Sequence, residues 1–150
     1  LLECDIAEDS DWGSEFQGVD WVFHIAALAD IVPSIQNPDN YFRSNVTGTF
    51  NVLRASQLAG VKRLVYVASS SCYGLAKTPT SEKHKVSNQY PYALSKYFGE
   101  QTCFHWSKVY SIPVISIRIF NLSIKFKLKL IFFLFMYVNK KPKLKLSSDK

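Results

Sequence analysis

Two groups of residues in this chain combine types and spacing that could move a proton. The first is Ser69-Ser70-Ser71-Cys72-Tyr73-Gly74, and the second is Tyr92-Ala93-Leu94-Ser95-Lys96. Pro91 precedes Tyr92, and proline is favoured at the first helical position, so the second group reads as the opening turn of a helix. Residues four apart on a helix share a face, which sets the Tyr92 phenol beside the Lys96 ammonium. A phenol of ordinary pKa, about 10, is a poor base at neutral pH. A neighbouring cation favours its ionised form. The spacing therefore predicts Tyr92 as a base tuned by Lys96, with a serine hydroxyl at the preceding strand's end hydrogen-bonding the same substrate oxygen. By itself the pattern is common, and the competing expectation is a surface helix with a solvated lysine.

The elements that must hold these groups are legible as an alternation of strand and helix. The serines follow Leu64-Val65-Tyr66-Val67-Ala68, an apolar run of the kind that forms a buried strand. Strands are predicted near 21–27, 61–68 and 112–119, giving an α/β fold, a partial doubly wound parallel sheet. The first ends in Ala26-Ala27, and small residues at a strand's carboxyl end let a ligand reach the backbone. Leu1 to Ile6 looks like the last turn of a further strand. A short helix from Trp12 to Val19 would pack Trp12 and Phe16. Asn37-Pro38 signals a helix start, with Asn37 as cap. Tyr41, Phe42, Val46, Phe50 and Leu53 then make one apolar stripe, and Gly60 closes the helix as a left-handed cap. The helix from about Pro91 to Val109 would bury Phe98, Cys103 and Trp106 or their neighbours. The loop from Leu75 to Gln89 is polar, and His84 in it reads as solvated. His24 reads as a satisfied core histidine rather than a ligand.

Charge is unevenly placed. The formal charge of the 150 residues is +6, but from Leu122 onward eight lysines and one aspartate give +7, leaving −1 for the preceding 121. A basic tail on a neutral body is no nucleic-acid footprint. Three widely spaced cysteines give neither a disulfide framework nor zinc spacing, so no metal is expected and a reducing, cytoplasmic setting is. Acidic residues crowd the first fifteen positions, unlike a signal peptide. The apolar run Leu130 to Val138 falls short of the roughly 20 residues that span a bilayer, so no membrane is expected.

Strand, Ser-Ser-Ser, Tyr-Gly, spacer and Pro-Tyr-x-x-x-Lys together resemble the extended short-chain dehydrogenase/reductase superfamily. Within it the chain is similar to the NAD-dependent epimerase/dehydratase branch, above all to UDP-glucose and UDP-N-acetylglucosamine 4-epimerases. The resemblance covers roughly residues 1–121, which it implies to be part of an NAD-binding Rossmann domain. It implies Ser69, with Ser70 as its alternative, Tyr92 and Lys96 as catalytic residues. Ser69 is preferred because the family's serine or threonine lies four residues before the tyrosine of Tyr-Gly. Asp5 and Ile6 would meet the adenine of NAD, and Ala26, Ala27 and Leu28 its ribose and pyrophosphate. Asn45 would contact the cofactor region, Lys96 the nicotinamide ribose, and Phe120, in Arg118-Ile119-Phe120-Asn121, would back the nicotinamide. Ser34, in the loop before the helix, and Asn121 would face the substrate, a nucleotide sugar (UDP-hexose). A homodimeric parent is implied as well.

Two departures from the family qualify that implication. The six glycines contain no Gly-x-x-Gly-x-x-Gly turn for the pyrophosphate, and no segment corresponds to the family's first two strands. After Asn121 the family's sugar-binding domain is replaced by a Phe/Lys-rich tail, 122–150, expected to be read-through of unselected sequence outside the fold. The rivals are a nucleotide-sugar 4,6-dehydratase or other extended reductase, and a truncated, non-catalytic product. A dehydratase needs an acidic pair after its catalytic threonine, where this chain has Ser70 and Ser71.

Overall fold

The computed structural model describes residues 2–120. Leu1, Asn121 and the segment 122–150 lie outside the described residues, and with them the expected domain boundary and the expected substrate contact of Asn121. Three parallel strands form the sheet in the order β1 (Trp21–His24), β2 (Arg63–Ser69), β3 (Val114–Ile119). Tyr66 stands between His24 and Ser116 in register, and Ala68 beside Arg118. All three predicted strands are present, each shorter at one end, and β2 runs one residue further than predicted, to Ser69. Ile25 to Ala27 leave the sheet, and Pro113 cannot donate to the ladder, though its carbonyl still accepts from Leu64 N at 3.0 Å. Residues 2–6 belong to no strand, against the expectation for Leu1 to Ile6.

The helix predicted from Asn37 is three pieces. α2 (Pro38–Phe42) passes through a π-helical turn (Arg43–Thr47) into α3 (Gly48–Leu58). Asn37 makes no side-chain cap bond. Gly60, at φ +66°, ends the run: its N–H bonds Gln57 O and that of Val61 bonds Ser56 O, the paired bonds of a glycine-closed helix. The loop assigned to Ser34 is instead a short helix, α1 (Ile31–Gln36). Asp11–Phe16 is a 3-10 turn that buries Trp12. The long helix α4 (Pro91–Tyr110) begins at its proline as predicted and ends on Ser111 in the left-handed region. The core joins Trp12, Val22, Val52, Leu53, Val61, Leu64, Tyr66, Cys103 and Ile112. Phe50, on the predicted apolar stripe, and Phe98 are exposed and pair edge-on with Trp106 and Phe42, while Gly99, Glu100 and Cys103 are the buried residues of that part of α4.

Candidate functional site

Ser69 is the last residue of β2, and Ser70–Tyr73 turn sharply away as a 3-10 helix. The Ser69 hydroxyl caps that turn, accepting from Ser71 N (3.2 Å) and sharing a hydrogen bond with Ser71 Oγ (2.8 Å). Its neighbour Ser70 is part-exposed. Gly74 at φ +60° lets the chain leave the turn: a Cβ there would lie 2.5 Å from Ser87 O. Ser87 N returns to Cys72 O at 2.8 Å, which pins the far end of the polar loop. Tyr73 is buried, stacks on Phe120 and takes a hydrogen bond from Arg118 Nη1 (2.7 Å).

α4 brings the second group. Tyr92 is half-buried and meets the edge of Tyr41 at 6.3 Å. Ser95, one turn in, donates to Tyr92 O (2.9 Å) and accepts from Asn45 Nδ2 (3.0 Å). Lys96 is only 4% exposed, which excludes the solvated-lysine reading. Its ammonium lies over the Tyr66 ring, 4.4 Å from the centroid, and among the described residues no carboxylate pairs with it. Burial lowers its pKa to about 8, with the nearby Cys103 and Glu100 working the other way. Glu100, one turn further on, is turned to Arg118, whose guanidinium grips it from two nitrogens, and to Ser116 Oγ at 2.6 Å. The Arg118 guanidinium is held above its ordinary range by that carboxylate.

The loop after β1 closes the site from the other side. Ala26, Ala27 and Leu28 are exposed, but the Leu28 peptide is fixed: its N–H donates to Asn45 Oδ1 (2.8 Å) and its carbonyl accepts from Asn45 Nδ2 (3.0 Å). Asn45 is fully buried within the π-helical turn, so one amide ties α4, through Ser95, to the loop. Tyr41 OH donates to Ala29 O, and Asp30 follows at φ +81°, a conformation that costs a non-glycine residue energy. Behind the loop, His24 Nε2 bonds Thr49 Oγ1 at 2.8 Å. Thr49 gives its proton to Asn45 O (2.7 Å), which leaves His24 as the donor. Burial, and then the charge of Lys96, lower the His24 pKa to about 3, so it is the neutral core histidine expected.

The remaining predicted residues sit differently. Asp5 accepts from Ala7 N (2.8 Å) and from Arg43 Nη1 (2.6 Å), and Arg43 holds its carboxyl below the usual range. Ile6 packs on Gly48, where a Cβ would lie 2.8 Å from Ile6 Cγ1. Ser34 is fully buried, with its hydroxyl given to Ile31 O (2.6 Å) within its own helix. Phe120 is half-exposed at the end of β3. Tyr92, Asn45 and the Leu28 peptide are thus connected through Ser95, next to Lys96 on α4, whereas the Ser69 hydroxyl is bonded to Ser71 and Ser34 and Asp5 have other partners. Sequence reasoning missed Tyr66, Glu100 and Gly99. The signal for Gly99 was available: glycine inside a long helix flags a close approach. A cavity of about 520 Å³ opens elsewhere, lined by Tyr73, Glu82, Glu100, Phe104, Arg118 and Phe120, and Ser69, Tyr92 and Lys96 take no part in it. No helix among the described residues is long and apolar enough to cross a membrane.

The sequence and the fold are similar to those of known proteins. UDP-glucose 4-epimerase of Rhizobium leguminosarum bv. trifolii is 32% identical over 101 residues, 67% of this chain and 31% of that protein. UDP-glucuronate 4-epimerase of Thermodesulfobacterium geofontis is 34% identical over 108 residues, 71% of this chain and 33% of that protein. The chain therefore spans about a third of the length of these relatives. The crystal structure of UDP-glucose 4-epimerase from Brucella ovis in complex with NAD superposes with a TM-score of 0.75 at 27% identity, covering 80% of this chain and 38% of that one. The fold is thus Rossmann-like and partial relative to that structure. Residues 1–127 match the NAD dependent epimerase/dehydratase family, and the chain belongs to it.

Proposed function

We propose that this chain supplies the catalytic portion of an NAD-dependent UDP-hexose 4-epimerase, in which Tyr92 is the base for transient oxidation at C4. One observation carries the reading: a lysine ammonium buried to 4% exposure without a carboxylate among the described residues, one turn after a half-exposed tyrosine. A buried charge without an ion partner is costly, and a bound ligand offsets that cost. The residues present fit the ribose side of NAD. Lys96 offers free N–H donors, Ala26 and Ala27 leave the strand end open, and Asn45 holds the Leu28 peptide still. No glycine turn for the pyrophosphate occurs in the sequence. NAD, when bound, supplies an acceptor and then a donor of two electrons and a proton for sugar C4.

Tyr92, as its phenolate, takes the proton from the sugar O4. Ser69 hydrogen-bonds the same oxygen, with Ser70 as the alternative donor. Lys96 holds the ribose hydroxyls and keeps a positive charge near the phenol, and Phe120 backs the nicotinamide. The sugar must turn over before C4 is reduced from its other face, so the groups that hold it contact O4 rather than the whole ring. Ser70 and Ser71, at the positions where a dehydratase needs acidic residues, favour epimerisation over 4,6-dehydration. Residues 1–121 as the NAD-binding part, Asn121 as a substrate contact and a homodimeric assembly belong to the same proposal.

The test is a chimera in which residues 20–120 replace the matching segment of the Rhizobium enzyme. It should interconvert UDP-glucose and UDP-galactose, and Tyr92→Phe should slow it about 10²–10⁴-fold, the scale of general-base catalysis. A folded, NAD-loaded chimera that loses nothing on Tyr92→Phe means that the base has been misassigned.

A further inference from the structure

The surroundings of Lys96 raise a separate question: what keeps its ammonium charged where it is buried. Glu100 and Cys103 face it from α4 itself, Tyr92 lies one turn earlier, Tyr66 faces it from β2 and His24 from β1. Glu100 is engaged by Arg118 and Ser116. Cys103 is fully buried, and burial pushes its thiol up to about 12. His24 is neutral, and burial moves the Tyr66 phenol well above its ordinary range. None of these places an anion on the ammonium.

Tyr66 contacts Lys96 at both ends. Its ring lies 4.4 Å from Nζ, and its hydroxyl donates to the Lys96 carbonyl at 3.1 Å. Gly99 makes this approach possible, because a Cβ there would lie 2.4 Å from the Tyr66 hydroxyl oxygen and 3.0 Å from Asn45 O. Glycine weakens a helix interior, so one within the 20 residues of α4 needs a local reason. The face of an aromatic ring attracts a cation without taking its N–H bonds as a carboxylate does.

We propose that Tyr66, admitted under α4 by Gly99, is a positioning residue that holds the Lys96 ammonium charged and fixed while leaving its N–H donors free for the hydroxyls of a bound ribose. The cradle stands on this geometry alone. Its occupation by ribose rests on the functional reading above.

Competitive acetylation of the full chain, with the modified fraction of each lysine read by mass spectrometry across pH, reports the Lys96 titration with no ligand present. Tyr66→Leu keeps the site apolar but removes the ring, and is expected to lower the Lys96 midpoint by about one unit, tenfold in the ionisation constant. Tyr66→Phe keeps the ring and should leave the midpoint within about 0.3 unit. Gly99→Ala, which displaces the ring, should fall between the two. An unchanged midpoint in a folded Tyr66→Leu chain overturns the proposal, and so does a shift in Tyr66→Phe as large as in Tyr66→Leu. Should Tyr66→Leu fail to fold, Gly99→Ala decides: a lowered midpoint supports the cradle and an unchanged one overturns it. Protection of Lys96 by added NAD is scored separately. Its absence, with the midpoints moving as expected, defeats the cofactor reading and upholds the cradle.

Discussion

On the face of the sheet beneath α3 and α4, the row Val22, Leu64, Val114 is followed by His24, Tyr66, Ser116 and then by Ala68 and Arg118. The helices add Asn45, Thr49, Lys96 and Glu100 to that layer, none more than 4% exposed. The opposite face carries Trp21, Phe23, Val65, Val67, Ile115 and Ile117. Among the described residues Trp21, Ile115 and Ile117 stand 41–47% exposed there. The polar groups are thus inside and large apolar ones outside, although parallel sheets ordinarily have both faces covered. Partnership explains the inside: Asn45, Thr49 and Glu100 are hydrogen-bonded, and the Lys96 ammonium lies over the Tyr66 ring. A polar group can be buried when a partner is waiting for it, whereas an apolar face stays open until something covers it.

Cutting the ion pair should break this contrast most severely. Arg118→Met strands the Glu100 carboxylate, 3% exposed, and should cost about 3–5 kcal/mol in urea unfolding. A loss below about 1 kcal/mol, the scale of an exposed pair, would mean that the Glu100 carboxylate finds water or another partner in the folded variant. Lys96→Met works in the opposite direction. It removes a buried charge whose pKa lies at about 8 against an ordinary 10.5, and should stabilise the chain by about 1–3 kcal/mol at pH 7. That gain is complete below pH 8 and fades as pH rises through 10.5, above which the lysine is neutral both folded and unfolded. His24 sets the acid side. Its folded pKa of about 3 lies below 6.5, so the stability it contributes is whole above pH 6.5 and is lost as pH falls toward 3. The expected slope is about 1.4 kcal/mol per pH unit, and His24→Gln should flatten it. On the open face the effect is smallest: Ile115→Lys with Ile117→Lys should shift stability by less than about 0.5 kcal/mol. The same pair should reduce binding of a dye for apolar surface and self-association in size-exclusion chromatography. A larger loss of stability would show that this face is covered in solution.

The sequence made the covered face legible only where it is apolar. Leu64 to Ala68 and the proline before Tyr92 announced β2 and α4, because hydrophobic runs and helix starts are local signals. Lys96 could be placed on the same helix face as Tyr92, but its burial could not be read, since lysine is ordinarily solvated and only Tyr66, thirty residues earlier, accommodates it. The pairing of Glu100 with Arg118 spans 18 residues and two elements, so no local pattern records it. Asn45 was singled out by resemblance as a cofactor contact, yet its amide faces the Leu28 peptide and Ser95. Ser34 shows the limit in the other direction: a residue matched to a substrate loop is folded into a helix and hydrogen-bonded there.

The π-helical turn at Arg43–Thr47 has a consequence for how insertions and deletions act on this chain. It accommodates one more residue than a regular helix turn would, and one residue amounts to about 100° of rotation. The segment before it is phased by Tyr41 on Ala29, and the segment after it by Val52, Leu53 and Ser56 in the core. Removing Ser44 would restore an even pitch, and the two segments could no longer satisfy both alignments at once. The core, with more apolar area, would keep its phase, and Tyr41 would swing away from the loop that carries Ala26 to Leu28. A one-residue deletion here would thus leave a folded protein whose site is out of step with its scaffold.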